Sequence, residues 1–304
     1  MYAKILVGYD GRERSEDALA LARSLAEALG AELVIASIYP HDPFPRTYIA
    51  EYEAHLRRDT EELLVKLRSG FTGNLQTRAE GATSPARGLH DLAEEESADL
   101  IVIGSSAHGA LGRILAGSTG QSLLRGAPCA VAVAPASFAS TEGAFRSLAV
   151  AFDGSPEADV ALRAAETLAG RLDASLLLLT VVRPPDFGAV LQYTGSGTAA
   201  NYSYTDHEEH TRERMRAVLD GALEAVPSEV EARGKLLSGD PADEISRHVD
   251  QRVDLLVTGS RGYGPLKRVL LGGFATELIH SSPCPVLVVP RGAPVDAGSQ
   301  MAAG

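Results

Sequence analysis

The sequence predicts an α/β protein built from two tandem copies of a five-stranded, parallel, doubly wound sheet. Two observations carry that expectation: the chain repeats itself, and within each copy short aliphatic runs alternate with longer stretches of helical period. Composition makes it feasible, since 304 residues with 45% hydrophobic and 22% charged side chains are globular and long enough for about two domains.

Three matched pairs establish the repeat. Leu6-Val7-Gly8-Tyr9-Asp10-Gly11 recurs as Val150-Ala151-Phe152-Asp153-Gly154, and Ala98-Asp99-Leu100-Ile101-Val102-Ile103-Gly104-Ser105 recurs as Val253-Asp254-Leu255-Leu256-Val257-Thr258-Gly259-Ser260. Ala127-Pro128-Cys129 with its aliphatic run recurs as Ser282-Pro283-Cys284 with another. The offset grows from 143 residues at Asp10 and Asp153 to 155 at Asp99 and Asp254, so the second copy carries an insertion. The stretch from Pro184 to Thr205, rich in Pro, Gly, Ser and Thr, is the natural place for it. Domain boundaries follow at 1–138 and 146–291, with a loose tail over 292–304.

Each element has its own local reason. Ile5 to Val7, Leu33 to Ile38, Leu100 to Ile103 and Ala130 to Ala134 are almost continuously apolar, as strands covered on both faces must be, while Leu75 to Arg78 is a weaker candidate. Ala18, Leu21, Ala22, Leu25 and Leu29 recur at helical spacing, and Gly30 stops that helix. Ser155-Pro156-Glu157 supplies a cap, a first-turn proline and an acid at the positive helix end, and Asp240-Pro241-Ala242 repeats the signal.

Charge and length exclude several classes. With 28 basic against 40 acidic residues the net charge is −12, so attraction to nucleic acid or an anionic membrane would need a basic patch that the sequence does not offer. The longest apolar run, Leu176 to Val182, is far shorter than a membrane span, and the N-terminus reads as a strand, not a leader, which points to the cytoplasm. Cys129 and Cys284 are read as buried reduced thiols.

Ligands of open parallel sheets bind beyond the carboxyl ends of the strands. After the fourth strand the first copy reads from Gly104 through Ala107, His108, Gly109 and Gly112 to Gly117-Ser118-Thr119, and the second from Gly259 through Gly262 and Gly264 to Gly272-Gly273-Phe274. Glycines there let main-chain N–H groups approach an anion, and a helix beginning near Ser118 adds further donors. The combination suits phosphate. The spacing, together with the Asp-Gly after the first strand and the closing Pro-Cys strand, resembles the nucleotide-binding signature of the universal stress protein family across nearly the whole chain.

That resemblance implies strand order 3-2-1-4-5, an adenine nucleotide alpha-hydrolase-like fold, and ATP with Mg2+ as ligand. By position, Tyr9 and Asp10 would lie beside the nucleoside and the Ile38 main chain near adenine. Gly104 would meet ribose and phosphate, Gly109 would lend the loop its freedom, and Gly117, Ser118 and Thr119 would wrap the outer phosphates. The matching positions in the second copy are Asp153, Val181, Gly259, Gly262, Gly272 and Gly273. Two departures stand out: Ala107 replaces the second glycine of the signature in copy one, and Gly273 replaces its hydroxyl residue in copy two. Loss of that hydroxyl favours the first copy as the phosphate site. The family further implies that the last strands pair, making an intramolecular pseudo-dimer, and allows a homodimer.

Competing motifs fall away. No Gly-x4-Gly-Lys-Ser/Thr loop or Gly-x-Ser-x-Gly elbow is present, and Gly195-Ser196-Gly197-Thr198-Ala199-Ala200 sits in the polar insertion instead of on a strand-to-helix turn. His207 and His210 could share a metal, but no third ligand is specified, and a solvated helix start explains them. Asn201-Tyr202-Ser203 is a sequon without meaning in a cytoplasmic chain. His108, Arg113, Lys267 and Arg268 lie in the presumed phosphate loops and either screen charge or face solvent. Asp10 and Asp153, each between a strand and a glycine, either form turns or touch ligand. The reading is a cytoplasmic, ATP-binding stress-response regulator or interaction module. A nucleotide-free interaction module of the same fold and a slow ATPase are the alternatives, and no catalytic residue or metal site is assigned.

Overall fold

Strands of four to nine residues, most of them followed by an amphipathic helix, build the frame. The computed structural model describes residues 2–42, 47–69, 75–105, 118–140, 145–184, 197–249, 253–260 and 272–290, the side chains of 47–50, 118 and 197–207 excepted. The first half runs β1 (Lys4–Gly8), α1 (Glu13–Leu29), β2 (Glu32–Pro40), α2 (Thr47–Ser69), β3 (Leu75–Ala82), α3 (Pro85–Glu95), β4 (Leu100–Gly104), α4 (Ser118–Leu124) and β5 (Ala130–Ala134). The second runs β6 (Ser147–Ala151), α5 (Pro156–Leu172), β7 (Ser175–Val182), α6 (Gly197–Ala225), β8 (Ala232–Ser238), α7 (Pro241–His248), β9 (Leu255–Gly259), α8 (Gly273–Ser281) and β10 (Val286–Val289).

All strands join one sheet in the order β3-β2-β1-β4-β5-β10-β9-β6-β7-β8. Neighbours within each half are parallel, as expected, and each half has the order 3-2-1-4-5. The halves meet through the antiparallel pair β5 and β10, in register Val133 to Val286, Ala132 to Leu287 and Val131 to Val288. Each final strand thereby covers the edge the other would leave bare.

Two apolar layers sandwich the sheet. One face carries Leu21 and Leu25 of α1, Leu64 of α2, Leu162 and Leu168 of α5 and Leu219 of α6. The other carries Leu89 and Leu92 of α3, Leu123 of α4, Ile245 of α7 and Leu278 of α8. The outer strands β3 and β8 keep polar residues such as Gln76 and Lys235, which is why periodicity registers them weakly.

The start and stop signals act as read. Gly30 ends α1 in the left-handed region at φ 61°, Ser155 Oγ accepts from the Ala158 N–H, and Asp240 accepts from the N–H groups of Ala242 and Asp243. The recurrent Asp99 and Asp254 have matching jobs. Asp99 accepts from the N–H groups of Ala3 and Lys4 at 2.7 and 3.1 Å, and Asp254 from those of Arg146 and Ser147 at 2.7 and 2.9 Å. Each pins the start of the central strand of its half.

Two expectations need correction. The helix start read at His207 and His210 lies earlier, because α6 begins at Gly197 inside the 184–205 stretch and both histidines lie in the body of that helix. Gly and Ser near a helix start obscure the boundary in the sequence. Cys284 is buried as expected, but Cys129 is only half-buried as a residue, its thiol nonetheless desolvated. Both cysteines are free.

Candidate functional site at the carboxyl ends of the strands

Both halves turn from their first strand in the same way. Asp10 Oδ1 accepts from the Arg12 N–H at 3.1 Å and Asp153 Oδ1 from the Ser155 N–H at 2.9 Å. Gly11 and Gly154 each sit at φ +75°, a conformation that demands glycine there. The turn reading of the two aspartates is therefore observed, and each carboxylate keeps a second oxygen.

In the second half this turn opens onto a cleft of about 780 Å3, within the size range of small-molecule sites. Phe152 and Asp153 line it from the first turn, Leu179 and Val181 from β7, Thr258, Gly259 and Ser260 from the end of β9, and Gly272 and Gly273 from the start of α8. Four sequence-predicted residues on three loops thus converge with Gly259 on one cavity. Gly272 caps α8 with extended backbone, φ −81° and ψ 164°, and a Cβ on Gly273 would meet nothing within 4 Å. That helix start is open to a ligand, and its first N–H groups have no intrahelical partners.

Sequence reasoning missed several lining groups. Ser260 is buried at 1% exposure and its hydroxyl has no hydrogen-bond partner, and the repeat-equivalent Ser105, buried at 3%, is in the same state. Buried hydroxyls are seldom left without partners, and each costs about 1–3 kcal/mol. Their recurrence beside Gly104 and Gly259 was the available signal. The cleft is also lined by Glu157, Glu277 and Arg183, which no motif marks.

The first-half residues have these places. Tyr9 is buried, its hydroxyl donating to Glu16, and burial followed by that carboxylate pushes its ionisation well above the ordinary phenol range. Ile38 is half-buried on β2 and packs against Gly88 of α3. Gly104 ends β4, Ser118 opens α4, and Thr119 is half-buried on it. Ala107, His108, Gly109, Arg113, Gly117, Gly262, Lys267 and Arg268 lie outside the described residues.

Gly104 and Gly259 have a reason that the phosphate reading does not include. A Cβ at 259 would stand 2.5 Å from the carbonyl oxygen of Glu157, and one at 104 would stand 2.7 Å from the carbonyl carbon of Arg14. The first turns of α1 and α5 close down on the ends of β4 and β9, and only glycine allows it.

In each half a parallel sheet reverses its strand order between the first and fourth strands, and in the second half a cleft lies beyond their carboxyl ends, which is the architecture of doubly wound α/β proteins. Within that class the chain belongs to the universal stress protein family, whose model matches residues 1–135 and 144–290. Relatives of the same two-copy length include Universal stress protein Rv2319c of Mycobacterium tuberculosis, 27% identical over 302 residues and covering 94% of this chain and 99% of that one. A universal stress protein of Mycolicibacterium smegmatis is 30% identical over 295 residues, covering 94% and 96%. Among solved structures, a universal stress protein from Archaeoglobus fulgidus superposes with TM-score 0.65 over 96% of this chain and 100% of that one, at 20% identity, a likeness of fold. Among the described residues no helix is long and apolar enough to cross a membrane.

Proposed function

We propose that the chain is an ATP-binding universal stress protein, a cytoplasmic, nucleotide-dependent regulator or interaction module of the stress response. The observation that carries this reading is the second-half cleft, which ends on the orphaned Ser260 hydroxyl and the open start of α8, with Ser105 in the matching state in the first half.

The residues fit the ligand. Phe152, Leu179 and Val181 supply an apolar wall for a base, Asp153 a carboxylate for ribose hydroxyls, and Ser260, Gly272 and Gly273 donors for phosphate oxygens. Mg2+ would be held between phosphate and the carboxylates of Asp153, Glu157 or Glu277, where it would offset charge. Hydrolysis is slow at most in this reading. Asp10 and Asp153, the carboxylates that recur at the described site, each spend an oxygen closing their own turn, which leaves them poorly placed to orient a water. The free thiols suit a reducing compartment.

The test is to denature freshly purified protein, separate released nucleotide by ion exchange, and repeat with Gly117→Glu and Gly272→Glu. Adenine nucleotide released by the wild type and lost from a variant supports the reading. A wild type that releases none and gives no heat on titration with ATP in magnesium buffer overturns it.

A further inference from the structure

Arg183 carries one wall of the second-half cleft out to its mouth. It follows the end of β7, and Leu179, Val181 and Arg183 alternate onto one face of the chain, all three lining the cleft. Leu179 is buried, Val181 half-buried and Arg183 exposed, which orders them from floor to rim. At the rim the guanidinium Nη2 donates to Asp240 Oδ2 at 2.8 Å, the two side chains being 68% and 45% exposed. An ion pair so exposed adds little to stability, so the fold does not account for it. What it does is hold a planar cation in one place.

The holder is itself held. Asp240 Oδ1 accepts from the N–H groups of Ala242 and Asp243 at 3.1 and 3.4 Å, so one carboxylate oxygen is tied to the start of α7 and the other to Arg183. Backbone brings the two segments together, because Val182 pairs with Ser238 at the end of the β7 and β8 register and the Gly239 N–H donates to the Val182 carbonyl at 3.1 Å. A long side chain that would otherwise sample many rotamers is thus set in position before a ligand arrives.

Sheet order decides which end of a ligand this cation meets. Ser260 follows β9, and β9 and β7 flank β6 on opposite sides, two strand spacings or about 10 Å apart. Asp240 follows β8, which lies on the far side of β7 from β9. The ion pair therefore draws the guanidinium away from the Ser260 hydroxyl and keeps it on the side of Leu179 and Val181, the apolar wall for a base. Guanidinium planes stack on aromatic faces. The first half has neither partner: Pro40 stands two residues after Ile38 as Arg183 stands two after Val181, and Ser84 caps α3 where Asp240 caps α7.

We infer that Arg183 is a base-contacting specificity residue of the second-half cleft, its guanidinium stacking on the nucleotide base at the rim, and that Asp240 is the positioning residue that holds it there. The inference rests on the adenine-nucleotide reading of this cleft and adds to it a contact that the first half lacks.

The test is calorimetric titration of the full chain with ATP in magnesium buffer, with adenosine measured as a competitor. The ATP binding that Gly272→Glu removes defines the second-half site. Arg183→Gln should weaken that site about tenfold for ATP and for adenosine alike, since both carry the base. Arg183→Lys keeps the charge without the plane and should stay at least about fivefold weaker than wild type. Asp240→Asn keeps a capping oxygen for α7 but loses the charge that holds Arg183, and should cost about threefold in the wild type and nothing further in Arg183→Gln, a coupling that simple loss of the cap would not produce. A loss confined to ATP, or unchanged affinity in Arg183→Gln, would overturn the inference and leave the nucleotide reading standing. ATP binding untouched by Gly272→Glu would overturn it as well, with the nucleotide then assigned to the first half. Binding of neither ATP nor adenosine would overturn both.

Discussion

Gly104 lies so close to Arg14 that a Cβ at position 104 would stand 2.7 Å from the Arg14 carbonyl carbon and nearer still to its oxygen. The contact is between backbones, so no side-chain rotation relieves it. Gly104→Ala and Gly259→Ala should each destabilise the chain by about 1–3 kcal/mol, as overpacking of a rigid contact does. Gly273→Ala, with open space around its Cβ and no positive φ, should be neutral or stabilising by up to about 1 kcal/mol. Urea denaturation of the three variants compares them directly, and equal effects would show that the backbone contact is not the reason for the glycines.

Asp17 fastens the connection between the halves. Its carboxylate, 1% exposed, accepts from Ser137 and Ala139 in the segment that leaves β5 for the second half. Val160 stands at the matching place in α5. Asp17→Ala strands two N–H groups and should cost about 2–4 kcal/mol, with faster proteolysis between Pro135 and Phe145. Unchanged cleavage there would show that the segment is held by other contacts.

Burial pushes the thiols of Cys129 and Cys284 up to about 12 from an ordinary value of 9.0. The folded chain keeps them protonated while the unfolded chain ionises from about pH 9, so their contribution is intact below pH 9 and is lost as pH rises toward 12. Between pH 9 and 10 stability should fall by up to about 1.4 kcal/mol per thiol per pH unit. Urea midpoints at pH 8, 9 and 10 read the slope, and the double variant Cys129→Ala, Cys284→Ala should flatten it. An equally steep slope in that variant would assign the loss to other groups.

Much of this architecture was legible because repetition was. Once Asp10-Gly11 was matched to Asp153-Gly154, and Asp99 to Asp254, aliphatic runs placed every central strand. The edge strand β3 was weak because Gln76, Thr77, Arg78 and Glu80 sit on an exposed margin where packing does not impose an apolar pattern. The start of α6 was hidden because Gly197, Ser203 and Thr205 resemble a loop until a helix is seen to run through them. At the site, motif glycines were found but their packing role was not, since no one-dimensional pattern shows that α1 and α5 press on the ends of β4 and β9.

The central claim is that adenine lies at the carboxyl ends of the inner strands. Photolabelling the full chain with 2-azido-ATP, with and without excess ATP, followed by peptide mapping, tests it most directly. Label displaced by ATP should map to peptides holding Ala36 to Pro40 or Leu179 to Arg183, at the ends of β2 and β7. Displaceable label mapping instead to the groove at the opposite end of the sheet, lined by Ser24, Phe145 and Arg171, would contradict the account.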